Sequence, residues 1–398
     1  MNRLNFHRLI LWTMLLLFAA WFLVPLYVML TTSLKDAEQL RAGNLLSLPT
    51  APTLDAWFKA WDTACTGVQC EGLKPYFWNS MVMVVPAVLL STLIGSLNGY
   101  VLSKWKFRGS ETLFAFMLFG VFMPMQVVLL PMSQVLGWLG VASSIWGLML
   151  VHVVAGIPST TLFFRNYYIG LPDELIKAAQ LDGAGFWMIF RRIVLPLSLP
   201  ILVVTLIWQF TNIWNDFLYG VVFSGADSKP ITVGLNNLAN TSSAVKEYNV
   251  DMAAALIAAL PTLFVYVVAG IPSTTLFFRN YYIGLPDELI KAAQLDGAGF
   301  WMIFRRIVLP LSLPILVVTL IWQFTNIWND FLYGVVFSGA DSKPITVGLN
   351  NLANTSSAVK EYNVDMAAAL IAALPTLFVY VVAGKYFVRG LTAGAVKG

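Results

Sequence analysis

An all-α, polytopic membrane protein is what this sequence predicts, and three observations predict it. Hydrophobic residues make up 58% of the 398 positions and charged residues 11%, against about 25% charged in a soluble domain; mean hydropathy is +0.75. Uncharged apolar runs of spanning length recur along the chain. The polar intervals between them alternate in character, every second one being basic. The net charge of +4 is what basic cytoplasmic loops leave behind, and it calls for no nucleic acid.

Residues 1–8 are short and basic, with Arg3 and Arg8. Residues 9–30 form a 22-residue uncharged run, long enough to span at about 1.5 Å per residue. Its exit, Thr31-Thr32-Ser33-Leu34-Lys35, lacks a small-residue cleavage site, so the run reads as an uncleaved signal anchor. Residues 35–76 are a polar loop rich in proline and mixed charge. A second span, 79–103, ends in the basic turn Lys104, Lys106, Arg108. The third, 113–136, is interrupted by Pro124 and Pro131, and the fourth, 144–164, ends at Arg165. The fifth and sixth cover 195–213 and 252–270. If each span crosses once, the amino terminus, the turn at 104–108, the interval 165–192 and the tail with Lys385, Arg389 and Lys397 share one face. The positive-inside rule makes that face, with both termini, cytoplasmic. Intervals 35–76 and 221–249 then lie outside.

The stretch 171–200 is a polar island between apolar runs. Leu171-Pro172-Asp173-Glu174 reads as a helix start, with proline suited to the first turn and acids at the positive end of the helix dipole. Leu175, Ile176, Ala178 and Ala179 come next, over two turns. Gly183 and Gly185 break the helix. A second short run, 186–194, carries Arg191 and Arg192 into the next apolar segment at Leu195-Pro196.

This spacing resembles the EAA loop of ABC importer permeases, E-A-A, three residues, G, nine residues, I-x-L-P. Ala178 and Ala179 are followed by Gly183 and then by Ile193, Leu195 and Pro196 at those distances. One position departs: the family's glutamate is Lys177, and Glu174 lies one turn earlier. Ser33-Leu34-Lys35, Asn79-Ser80, Gly99-Tyr100-Val101-Leu102-Ser103 and Trp214-Asn215-Asp216-Phe217 look like the carbohydrate permeases of the maltose-transporter type, closest to the shorter of the two subunits. The resemblance implies a type I permease in a bacterial inner membrane. Its island is a coupling helix docked on an ABC ATPase subunit. Its partners are two ATPases, a second and larger permease, and a periplasmic sugar-binding protein. It also implies that ATP and Mg bind to the ATPase, with no cofactor in this chain. On polarity alone, the island is an ordinary amphipathic cytosolic loop.

Residues 153–270 recur without a change as 267–384, a shift of 114 (267 − 153). One copy is 153–266 and the other 267–380. Without one period, 284 residues remain (398 − 114). Copies in different surroundings drift, so perfect identity points to a recent tandem duplication or to an assembly error, not to an old functional repeat. The second island, 285–314, carries Ala292, Ala293, Gly297, Ile307, Leu309 and Pro310. The joint fuses the sixth span to the cytoplasmic end of the fourth across 252–277. Both run inward, so topology is kept and about eight spans are predicted in one transmembrane domain. Only one island is expected to engage an ATPase. The first adjoins an unbroken fourth span and is favoured, although only the second copy adjoins the natural tail.

No G-x-x-x-x-G-K-[ST] occurs. The histidines are His7 and His152, and no metal-ligating cluster or nucleophile–base set stands out, so the chain reads as a non-catalytic transport subunit. Cys65 and Cys70 either close a small disulfide loop in an oxidising compartment or remain two thiols. Gln209, Asn212 and Asp216 share one helix face, with Asn215 beside it. They either line the translocation path or hydrogen-bond helix to helix. Two other readings stay open: a secondary transporter or channel, and an inactive duplicated relic.

Overall fold

The computed structural model describes residues 23–44, 46–67, 69–122, 125–241, 246–269, 287–328, 343–353 and 371–375, with a few single positions besides. Among them all regular structure is helical. The chain forms two compact units, Met1–Asn79 with Pro230–Pro261, and Ser80–Lys229 with Thr262–Gly398.

In the first unit, helix α1 (Leu23–Ser33) leads into Lys35, whose buried ammonium donates to the Asn44 carbonyl at 3.2 Å and to Ser47 Oγ at 3.1 Å. Asp36 caps α2 (Ala37–Ala42), accepting from Gln39 N at 2.7 Å, and this bond holds its carboxyl below the usual range. Helix α3 (Asp55–Phe58) continues as a π-turn at Lys59–Thr63. Cys65 and Cys70 are joined by a disulfide. The little loop they close is pinned where Thr66 Oγ1 meets Tyr76 Oη at 2.8 Å and Gly67 N donates to Thr241 Oγ1 at 2.8 Å. The interval 35–76, read as a polar loop, thus carries short helices and a disulfide within the first unit, or lobe. Short helices preserve few signals in the sequence, and the lobe is built largely from non-local bonds.

Helix α4 (Lys74–Lys104) runs on into the second unit, followed by α5 (Ser110–Phe122), α6 (Met125–Trp138) and α7 (Ile145–Ile169). The interval 165–200 holds α8 (Asp173–Leu181) and α9, the run Phe186–Leu197. Then come α10 (Leu199–Trp214), α11 (Leu218–Phe223), α12 (Ile231–Asn240) and α13 (Tyr248–Ala269). Here α12, with buried Ile231, Val233, Leu235 and Leu238, belongs to the lobe. So the interval 221–249, placed outside by its charge, contains a buried amphipathic helix. In the second copy α14 (Asp287–Leu295), α15 (Phe300–Ile303, continuing as a π-turn to Val308), α16 (Leu313–Trp328) and α17 (Ile345–Ala353) are described.

Among the described residues, three helices are long and apolar enough to cross a membrane: Lys74–Lys104, Ile145–Ile169 and Tyr248–Val265. The pair Phe186–Leu197 and Leu199–Trp214, bent by 77°, makes a fourth if it is one broken span. The expected fifth span, 195–213, is thus corrected: its first turn belongs to α9. Pro196 and Pro200 flank the bend at Ser198, where proline cannot supply an amide donor. The joint beyond residue 269 and most of the expected first and last spans lie outside the described residues.

In lipid, helices associate by close fit rather than by apolar burial. Gly95 and Gly99, one turn apart on α4, provide that fit to α7. A Cβ on Gly95 would lie 2.2 Å from Thr160 Oγ1, and one on Gly99 2.7 Å from both Phe164 Cβ and Arg165 N. The approach lets Thr160 Oγ1 donate to the Ser91 carbonyl at 2.9 Å. Gly95→Val is expected to cost about 2 kcal/mol or more through overpacking. Thermal unfolding in detergent should show a lowered midpoint, whereas Gly109→Val, with open space around it, tests only backbone strain.

Candidate functional site

The island is built on one side of α8. Pro172 begins the helix, Asp173 and Glu174 sit in its first turn, and Ile176 and Ala179 turn inward. Gly183, at φ +80°, ends it: its N–H bonds the Gln180 carbonyl, and Ala184 N bonds the Ala179 carbonyl at 2.9 Å. Gly185 precedes α9, which passes through a π-turn at Phe190–Val194. Ile176, 5% exposed, and Ala179 pack with Ile189, Phe190 and Val194 against Tyr100 of α4 and Phe164 and Tyr168 of α7. The Tyr100 ring lies 5.0 Å from Phe186 and 5.5 Å from Phe190.

The opposite face stays open. Glu174, Lys177, Ala178 and Pro196 are exposed, as are Leu181 at 89% and Trp187 at 66%. Ile193 and Leu195 are half-buried against the cluster. The motif thus divides by role: Ala179 seats the loop, Ala178 faces away, and Gly183 turns the chain.

Polar contacts hold this seat, and sequence reading alone missed them. Lys104 Nζ, at the end of α4, donates to the Leu171 carbonyl at 2.6 Å and to Asp173 Oδ1 at 2.5 Å. The Lys104 side chain is 5% exposed, that of Asp173 65%. Its hydrogen bond, and then its charge, hold the Asp173 carboxyl below the usual range. One Nη of Arg165 spans both Glu111 oxygens at 3.0 and 2.8 Å, and the guanidinium lies 3.8 Å over Phe114. Tyr168 Oη meets Ser96 Oγ at 2.8 Å and Ser198 Oγ at 2.7 Å, tying α4 and α7 to the bend before α10. A basic turn after an apolar run signalled Lys104, but nothing in spacing names its partner.

The polar residues of the fifth span do not converge. Gln209 is buried and donates to Ser91 Oγ at 2.7 Å, close to Gly156. Asn212 is half-buried, and Asn215, exposed, lies just past the end of α10. Asp216 accepts from Gly220 N at 3.1 Å and Tyr219 N at 3.4 Å, capping α11, with His152 Nε2 at 3.6 Å.

The second island is identical in sequence but differently seated. Ile290, Ala293, Phe304 and Val308 are only half-buried, where Ile176, Ala179, Phe190 and Val194 are buried, and Phe300 is exposed. Ala292, Gly297, Leu309 and Pro310 are exposed and Ile307 half-buried. Among described residues, Ser312 Oγ donates to Tyr282 Oη at 3.1 Å, the counterpart of the Tyr168–Ser198 contact.

Fold and site define a multi-pass helical membrane protein whose hydrogen-bonded polar loop is seated on its helix bundle. The family model for the binding-protein-dependent transport system inner membrane component matches residues 88–262 and again 248–392. A probable ABC transporter permease of Pyrococcus horikoshii is 41% identical over 271 residues, 68% of this chain and 95% of that one. The xylose/arabinose import permease XacI of Haloferax volcanii is 32% identical over 284 residues, 66% of this chain and 89% of its own. A crystal structure of a bacterial ABC transporter involved in import of the acidic polysaccharide alginate contains a chain similar in fold, with TM-score 0.59 and 18% identity, covering 68% of this chain and 97% of that one. The chain belongs to the binding-protein-dependent transport system inner membrane components, the permease subunits of ABC importers.

The seat can be probed by charge and by pH. Ile176→Asp puts a carboxylate into the apolar cluster, a cost of several kcal/mol unless the loop lifts out, so limited proteolysis should cut near residue 183. Leu181→Asp, on the open face, should change stability by less than about 0.5 kcal/mol and leave cleavage unchanged. The Asp173 carboxyl, lowered when folded, adds stability above its ordinary value of 3.8 and loses it as pH falls through the lowered one. The amide protection factors of Leu171 and of residues 173–177, which divide out the intrinsic pH dependence of exchange, should therefore be flat from neutral pH to about 4 and fall below it.

Proposed function

We propose that this chain is the permease through which a sugar crosses an inner membrane, with residues 171–200 as the helix that receives the push of an ATPase. The observation that carries the reading is the two-faced loop. Ile176 and Ala179 seat it on the bundle, while Leu181 and Trp187 remain outside, exposed apolar residues on a polar interval. Glu174, Lys177 and Ala178 edge that face. ATP and Mg bind to the ATPase subunits and not to this chain. A second, larger permease and a periplasmic sugar-binding protein complete the importer, and both termini lie in the cytoplasm. The sugar assignment is supported by the relative that imports xylose and arabinose.

In this reading the second copy is a tandem duplication. The Pyrococcus relative, of which 271 residues are 95%, has a length of about 285, and this chain less one period has 284 (398 − 114). Deleting either copy gives the same 284-residue sequence. In proteoliposomes with the binding protein, the second permease and the ATPase, sugar uptake should require ATP and the ATPase. The 284-residue form should transport at least as fast as the full chain. Uptake driven by an ion gradient without the ATPase would overturn the importer reading, and a 284-residue form without activity would overturn the account of the repeat.

A further inference from the structure

The repeat copies the loop but not what holds it. Lys104, Tyr100 and Glu111 all precede residue 153, where the repeated sequence begins, so each exists once for two islands. In the structure all three serve the first copy. Lys104 Nζ bonds the Leu171 carbonyl and Asp173. Tyr100 packs on Phe186 and Phe190. Glu111 pairs with Arg165, just before the first island. The sequence of the second island is the same, yet its cluster residues are less buried. Identical segments that pack differently must owe the difference to their surroundings, and these single residues are the surroundings the first island has.

We propose that Lys104 is the positioning residue that selects the first loop for ATPase docking and carries that loop's displacement into α4. The proposal rests on reading residues 171–200 as the coupling helix. Covalently, α8 hangs between Gly170-Leu171-Pro172 and the turn at Gly183–Gly185, both able to pivot. To the apolar seat of Ile176 and Ala179 the buried ammonium adds a directional attachment, to a carbonyl before α8 and a carboxylate in its first turn. Lys104 ends the same helix that meets Tyr168 through Ser96, and Thr160 and Gln209 through Ser91. A push on α8 that reaches Lys104 therefore moves α4 together with α7 and α10. Without the ammonium, the apolar seat alone holds α8, and the loop yields on its pivots while the ATPase turns over.

The test uses the full chain in the reconstituted importer, with a photo-crosslinker attached at Ala178→Cys or Ala292→Cys. Both alanines are exposed, whereas Ala179 is buried and unsuited to a probe. Position 178 should crosslink to the ATPase about five-fold or more above position 292, and Lys104→Met should bring the two together. Lys104→Met should also lower sugar transported per ATP hydrolysed by about five-fold at unchanged membrane level, and Lys104→Arg should restore most of it. Equal crosslinking from both positions in the parent overturns the selection. An unchanged crosslinking ratio and unchanged transport per ATP in Lys104→Met overturn the positioning role. If Lys104→Met does not accumulate, Asp173→Asn is read in the same way, since that side chain is exposed and its loss does not threaten folding; no change there overturns the proposal. Absence of crosslinks from either position in the parent sinks the coupling-loop reading, and this proposal with it.

Discussion

Much of the second unit depends on how closely α4 and α7 approach. Two glycines one turn apart replace side chains that would lie 2.2 and 2.7 Å from atoms of α7. With the backbones that near, a hydroxyl too short to bridge an ordinary helix pair can bond across it, as Thr160 does to the Ser91 carbonyl, and the longer Tyr168 reaches Ser96. The same approach sets the height of the last turn of α4, and so the position of Tyr100 and Lys104 beneath α8. In a bilayer there is no water to drive helices together, so fit of this kind, fixed by hydrogen bonds, does the positioning.

The site was partly legible in the sequence. Pro172 with its acids and the glycines at 183 and 185 give the start and end of α8 and the start of α9, because each is a local backbone signal, while the end of α9, at Leu197 and not 194, was missed. The inward direction of Ile176 is set by helical period. What could not be read was partnership. Lys104 is one of several cations in its turn, and only the crossing of α4 over the loop picks Asp173 and the Leu171 carbonyl for it. Ser198 reads as an apolar-run interruption between two prolines; that it receives Tyr168 is a tertiary fact. The lobe was least legible, since residues 35–76 and 230–261 meet through bonds such as Asn249 Nδ2 to the Lys35 carbonyl at 3.0 Å, 214 residues apart in sequence.

The two islands act as a control that the chain carries within itself. Their propensities, capping residues and apolar patterns are identical, so any difference between them is tertiary. Both form the short helix, the glycine turn and the π-turn. Local structure is thus written in the segment. The depth of its seat is not: Phe190 is buried and Phe304 half-exposed. Seating belongs to the partners.

The π-turn at Phe190–Val194 has a consequence for chain length. A π-turn carries one residue more than an α-helical path between the same ends, and each residue added to a helix rotates the downstream chain by about 100°. The π-turn between Gly183 and Pro196 therefore works as a phase buffer. Losing one residue within it converts the π-turn to ordinary helix between the same ends and leaves the face bearing Trp187 at its angle to α10, whereas a loss that keeps the π-turn turns that face by about 100°. The extra residue thus marks where in this segment a change of length is not a change of angle.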